Sequence, residues 1–293
     1  MSAPQESHGG ATYASTAKAA ASNGAGAASG SSFYAAMRIL PAPQREAMYA
    51  IYGFCRAVDD IADEGGALDE RRSAIARWRR DIDALYAGEG ETQLTRGLKT
   101  PVETFGMRRE DFHAVIDGVE MDVERNIVAP DWAELELYCD RVASAVGRLS
   151  VKVYGLEEGS GVALSYHLGR ALQFTNILRD VDEDAAIGRL YLPREALRDA
   201  GITQTGDPAA VLAHPGLDAA CRDVAMRARK HFQDAETIMA QCERDRVRSP
   251  RLMAAIYGAM LDRLINRGWR PPRRKLHHSR PQVLWAILRH GFL

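Results

Sequence analysis

Between Ala163 and Asp184 the chain reads ALSYHLGRALQFTNILRDVDED. On an α-helix, residues four apart share a face about 6 Å along the axis. Asn176, Asp180 and Asp184 therefore form one oxygen-bearing stripe, with Gln173 a turn earlier. Carboxylates stacked at this spacing repel by roughly a few tenths of a kcal/mol even in water, and Asp182 and Glu183 add to the repulsion. A hard divalent cation removes it, because Mg2+ takes oxygen ligands, often one or two carboxylates completed by water and substrate phosphate. Taken alone, the stripe also describes a solvated acidic helix end. A second stripe changes the balance. In YGFCRAVDDIADE, Tyr52, Arg56, Asp59 (or Asp60) and Asp63 recur three or four residues apart, and Asp59 with Asp63 repeats the carboxylate pair. Arg56 stands one turn before Asp59 and Arg179 beside Asp180. Facing each other across a helical core, the two stripes would hold several Mg2+ ions. Metal would bridge the aspartates to a diphosphate, and guanidinium groups would take the remaining phosphate oxygens. Two surface salt-bridge networks are the competing account.

The stripes need helices to carry them, and the pattern supplies helices throughout. Phe33, Tyr34, Met37 and Leu40 lie at helical spacing before Pro41, and a long helix is predicted from Pro43, near its first turn, to Glu64, ended by Gly65-Gly66. Further helical patterns cover about 68–87, 93–105, 109–125, 131–154, 160–184, 216–244 and 249–268, separated by Gly- or Pro-bearing breaks, including 201–208. No alternating run of useful length suggests a strand, so the reading is all-α, a single large bundle. Residues 1–30 are mostly Ala, Gly and Ser, too poor in apolar surface to order themselves, and are expected to be a disordered tail preceding a helical domain over 31–293. That stretch lacks the basic start and apolar run of a secretory signal.

The 293 residues suffice for a deep core, and 46% hydrophobic with 26% charged residues is ordinary for a globular chain. A formal net charge of −1 gives no bulk attraction for nucleic acid, so no nucleic-acid partner is expected. Cys55, Cys139, Cys221 and Cys242 are scattered without zinc spacing and read as reduced thiols of a cytoplasmic protein. No apolar run is long enough to span a bilayer. At the C-terminus RPPRRK (270–275) precedes PQVLWAIL; this could rest on an anionic membrane surface or be a packing helix beside a solvated basic loop. His231, His277 and His278 have no ligand-like partners, and the Gly-x-Gly at 159–161 lacks a preceding strand and a third glycine.

Three segments, YGFCRAVDDIADEG (52–65), YCDRVASAVG (138–147) and QFTNILRDVDEDAAIGRLYLP (173–193), resemble the squalene/phytoene synthase family of head-to-head prenyl transferases. The likeness covers about residues 31–270, and SSFYAAMRILPAPQREAMYAIY (31–52) is most similar to its hopanoid-associated branch. The resemblance implies an isoprenoid synthase bundle with a central cavity. It also implies condensation of two farnesyl diphosphates to presqualene diphosphate with Mg2+ and without a requirement for NADPH. Asp59 and Asp63, with Asp60 adjacent, match the family's first metal motif, and Asn176, Asp180 and Asp184 match its second. Arg56, Arg179, Arg189 and Tyr191 fall where the family holds diphosphate, with Ser31 or Ser32 and Tyr52 near the entrance. Tyr138 matches the tyrosine assigned to the first half-reaction, and Gln173 and Phe174 would line the region where the carbocation forms. The rival readings are a squalene synthase that completes the NADPH reduction, a phytoene synthase using geranylgeranyl diphosphate, and a non-catalytic assembly factor on the same fold. Farnesyl diphosphate is the expected partner, and the sequence leaves open whether a downstream isoprenoid enzyme is another.

Overall fold

The computed structural model describes residues 32–63 and 66–277. The expected tail, Ser31, the side chains of Ser32 and Phe33, and the apolar stretch after 277 lie outside the described residues. Helices follow one another as α1 (Ser32–Arg38), α2 (Ala42–Asp63), α3 (Leu68–Tyr86), α4 (Lys99–Phe105), α5 (Arg109–Glu124), α6 (Trp132–Cys139), α7 (Ala145–Tyr154), α8 (Glu158–Arg179), α9 (Val181–Ala186), α10 (Arg194–Asp199), α11 (Pro208–Ala213), α12 (Leu217–Ala240) and α13 (Arg248–Arg267). A π-helical turn, Asp140–Ser144, joins α6 to α7, and a 3-10 turn, Arg244–Val247, precedes α13. The only β pairing among the described residues is an isolated bridge between Val128 and Leu190.

Two large apolar cores and a smaller one, where Ala36 of α1 meets Leu252, Met253, Ile256 and Tyr257 of α13, hold the helices together. In one large core, Phe54 of α2 meets Trp78 of α3 and Phe112 of α5 edge to face, with ring centroids 5.3 and 5.1 Å apart. In the other, Phe174 and Leu178 of α8 pack with Trp269 and with the apolar face of α12. α2 is one-sided, burying Met48, Ile51, Phe54 and Val58, so its opposite edge is free to carry carboxylates. α8 buries Leu164, Leu168, Ala171, Phe174, Thr175 and Leu178 on several sides, as a central helix must. The π turn sits close against α5 and α8. A Cβ on Gly118 would meet Val142 Cγ1 at 2.6 Å, and one on Gly169 would meet the Ser144 amide nitrogen at 2.8 Å, so only glycine allows this approach.

The structure departs from the sequence expectation in identifiable places. The predicted helix 160–184 breaks at Asp180, whose φ of −101° and ψ of 13° lie off the helical values. Between the predicted helices 160–184 and 216–244, where no helical pattern was assigned, the structure has α10 and α11, and α11 starts with the signals of a capped helix: Asp207 accepts the Ala209 amide and Pro208 follows it. No helix among the described residues is long and apolar enough to cross a membrane. Two of the four basic side chains in RPPRRK are engaged internally, Arg273 with Asp182 and Lys275 with Glu183, which weakens that segment as a free basic surface.

Candidate active site

α2, α5, α6, the π turn, α8 and α9 converge on one cavity of about 800 Å3, counting its open mouth. Asp59, Ala62 and Asp63 line it from α2, Val119 and Asp122 from α5, and Tyr138 and Val142 from α6 and the π turn. Gln173, Asn176, Ile177, Asp180 and Asp184 line it from α8, α9 and their junction, and Arg189 and Tyr191 from the segment that follows. The two acidic stripes thus face a shared space. The start of α6 is secured by Asp131, whose carboxylate accepts the Glu134 amide at 2.8 Å, fixing the helix that presents Tyr138.

Five carboxylates in this lining face a single guanidinium, that of Arg189. Arg189 is 8% exposed and lies 3.4 Å from Asp63 Oδ1 and from the Ala62 carbonyl. Burial pushes the Asp59 carboxyl up to about 7; the nearby charge of Arg56 opposes the shift, and Asp63, Asp60 and Asp122 reinforce it. Burial raises Asp184 to about 7 as well, with Asp180, Asp122 and Glu183 adding to the effect and Arg189 opposing it. Such a lining is short of positive charge. Asn176 Oδ1 is buried without a hydrogen-bond partner, and a cation at the cavity would satisfy it. Among the described residues no three carboxylate, imidazole or thiol groups stand close enough to cage a metal ion by themselves. A metal ion at the stripes would need further oxygens, such as those of a bound phosphate, to complete its coordination.

A second arrangement lies deeper. Tyr138 and Tyr191 stack with centroids 5.0 Å apart, and their hydroxyls donate to the two oxygens of Asp122 at 2.8 and 2.7 Å. Asp122 is buried, and its carboxyl is raised by that burial although both phenols and Arg189 counteract it. The sequence reading missed Asp122. Its signal was present: it falls on the stripe of Val115, Val119 and Val123, where a carboxylate is out of place unless hydrogen-bonded.

Several expected residues do not reach the cavity. Asp60, one residue and about 100° of helix from Asp59, turns out to the rim and pairs with Arg56 at 2.8 Å, so neither lines the site. Arg179 lies along Asp180, with Nε 2.8 Å from Oδ1, rather than pointing into the cavity. Tyr52 is half-buried, two turns before Asp59 and outside the lining. Phe174 is fully buried between Trp132 and His231, at ring distances of 6.2 and 5.8 Å, and is core rather than cavity wall. Its neighbour Gln173 takes the cavity side because adjacent helical residues point apart. His231 Nδ1 lies 3.1 Å from His167 Nδ1 in a structural pair between α8 and α12.

The raised carboxyls make a pH prediction. Both groups bind protons more tightly folded than unfolded, so the stability they contribute is full below about pH 4 and is lost as pH rises through about 7. Metal competes with those protons. The rise in Tm produced by Mg2+ with inorganic pyrophosphate should accordingly be larger at pH 8 than at pH 6, measured by thermal denaturation; equal shifts at both would contradict the charge assignment.

An all-α bundle closing on a cavity edged by two acidic stripes is the isoprenoid synthase arrangement. The chain belongs to the squalene/phytoene synthase family, whose model matches residues 27–282. It is 55% identical over 263 residues to the presqualene diphosphate synthase of Zymomonas mobilis subsp. mobilis, covering 89% of each chain. It is 52% identical over 268 residues to the presqualene diphosphate synthase of Rhodopseudomonas palustris, covering 92% of this chain and 95% of that one. The phytoene synthase of Rhodobacter capsulatus is more distant, 32% identical over 87% of this chain and 76% of its own. Among solved structures, squalene synthase HpnC from Alicyclobacillus acidocaldarius superposes with a TM-score of 0.74 at 28% identity, covering 82% of this chain and 89% of that chain.

Proposed function

We propose that the chain joins two farnesyl diphosphates head to head into presqualene diphosphate. The observation that carries this reading is the cavity in which both stripes and the Tyr138–Asp122–Tyr191 group meet, in a chain more than half identical to presqualene diphosphate synthases over most of its length. Asp59, Asp63, Asn176, Asp180 and Asp184 are the residues that would hold Mg2+. When bound, Mg2+ supplies neutralising charge for the diphosphate leaving group.

The chain's own residues do the rest. Arg189, at the cavity wall with Nε unpartnered, binds phosphate oxygen and holds the leaving group in place. Ala62, Val119, Val142 and Ile177 give apolar walls that exclude water from the allylic cation. The stacked rings of Tyr138 and Tyr191 present electron-rich faces to it. Closure of the cyclopropane requires loss of a C–H proton, whose bonding electrons form the ring bond. Tyr138 Oη takes that proton as its own passes to Asp122, the carboxylate it already faces. Nothing in this sequence of steps uses a hydride.

Incubation with farnesyl diphosphate and Mg2+, with and without NADPH, followed by mass spectrometry of the products, tests the assignment. Presqualene diphosphate should accumulate in both. Squalene formed only with NADPH would make the chain a full squalene synthase, and phytoene from geranylgeranyl diphosphate would overturn the substrate assignment.

A further inference from the structure

The second stripe is carried by two helices that meet at Asp180, and what holds their angle lies nearly ninety residues further along the chain. The Asp180 amide still reaches the Asn176 carbonyl at 2.9 Å, and the Asp184 amide reaches Asp180 at 2.8 Å. In an unbroken helix the Leu178 carbonyl would accept the Asp182 amide. Here it accepts the indole N–H of Trp269 at 2.9 Å. Trp269 is fully buried, and its own amide donates to Asp218 Oδ1 at 2.7 Å. The preceding Gly268 has φ of +73°, and a Cβ there would stand 2.8 Å from the same oxygen, so this seat requires glycine.

Four residues on, Arg273 grips the far side of the kink. Its Nε and Nη2 donate to the Asp182 carboxylate at 2.9 and 2.7 Å, and Nη1 donates to the carbonyls of Leu212 and Trp269 at 3.1 and 3.2 Å. The Arg273 side chain is 10% exposed, so this fork is a fixed contact rather than a loose surface pair. One segment therefore holds the end of α8 through Leu178 and the start of α9 through Asp182. Neither Trp269 nor Arg273 lines the cavity.

We propose that Trp269 and Arg273 are positioning residues. They set the angle of the kink, and through it the spacing at which Asn176, Asp180 and Asp184 present oxygens to a magnesium diphosphate. The proposal rests on the site reading given above. Mg2+ demands near-octahedral geometry at short distances, so a small rotation of α9 against α8 weakens binding without unfolding either helix.

The test is thermal denaturation across a Mg2+ titration at fixed inorganic pyrophosphate, on wild type, Arg273→Gln, Arg273→Lys and Trp269→Phe. Loss of a partner that orients metal ligands typically costs about 10–100-fold in metal affinity. Arg273→Gln and Trp269→Phe should move the Mg2+ midpoint up about tenfold, with helical circular dichroism retained. Arg273→Lys, which keeps the charge but loses the fork, should fall between Arg273→Gln and wild type. A purely structural role would lower the ligand-free Tm and leave the midpoint where it was, and that result overturns the proposal. Should Trp269→Phe fail to fold, Arg273→Gln decides alone, because its partner Asp182 is 43% exposed and tolerates losing it. If wild type itself shows no pyrophosphate-dependent shift, the metal-site reading fails and the brace with it.

Discussion

Asp59→Asn should give a protein that melts higher than wild type at pH 8 without Mg2+ and turns over farnesyl diphosphate at least about 10²–10³-fold more slowly. Both effects have one origin. Burial, reinforced by Asp63, Asp60 and Asp122, holds the Asp59 carboxyl at about 7, so at pH 8 the folded protein carries an anion its surroundings disfavour. An amide of the same shape removes that charge. The stability from protonated Asp59 is full below about pH 4 and lost as pH rises through about 7, so the advantage of asparagine should vanish near pH 5. The same charge that weakens the apo fold is what a diphosphate-bound cation needs, a common conflict between stability and activity. Asp180→Asn provides the contrast. It removes the carboxylate along which the largely buried Arg179 lies, and leaving that guanidinium without its counter-ion should lower Tm while also abolishing turnover. Wild-type rates for either variant at saturating Mg2+, or a lowered Tm for Asp59→Asn at pH 8, would refute the assignment.

The second large effect is expected at Asp122. Asparagine there keeps one carbonyl acceptor but offers an NH2 group where the other phenol needs an acceptor, so Tyr138 and Tyr191 cannot both donate as they do now. A proton arriving at Tyr138 then has no carboxylate to pass to, and kcat should fall by about 10²–10⁴. The Mg2+ midpoint with pyrophosphate should stay near the wild-type value, because the stripes on α2, α8 and α9 are untouched. Tyr138→Phe should cost a similar amount. The double variant should cost no more than the worse single, since the pair acts as one unit. Additive losses in a kinetic double-mutant cycle would make Asp122 a structural acid instead.

The parts of the site that were legible in the chain are those with local geometry. Asp59/Asp63 and Asn176/Asp180/Asp184 were visible because helical spacing alone puts them on one face. The two stripes do line one cavity. The resemblance put Arg56 and Arg179 with Arg189 as diphosphate-binding groups and Asp60 beside Asp59 in the metal motif, yet Arg56 and Asp60 pair with each other at the rim and Arg179 lies along Asp180. Arg189 is held at the cavity wall beside Asp63, 126 residues away along the chain. Phe174 and Gln173 were read as neighbours with one role, but a helix turns adjacent side chains to different sides, one into core and one toward the cavity.

The sequence by itself determined the helical class and the two acidic stripes, because each depends on contacts three or four residues apart. Tertiary packing decided the rest. It brought the Asp122 carboxylate between two phenols, one on α6 and one in the segment that follows α9, bent the α8–α9 junction at Asp180, and turned the basic segment after Gly268 back onto that bend. These outcomes depend on which buried polar groups find partners across the fold, and spacing along a single helix carries no record of that choice.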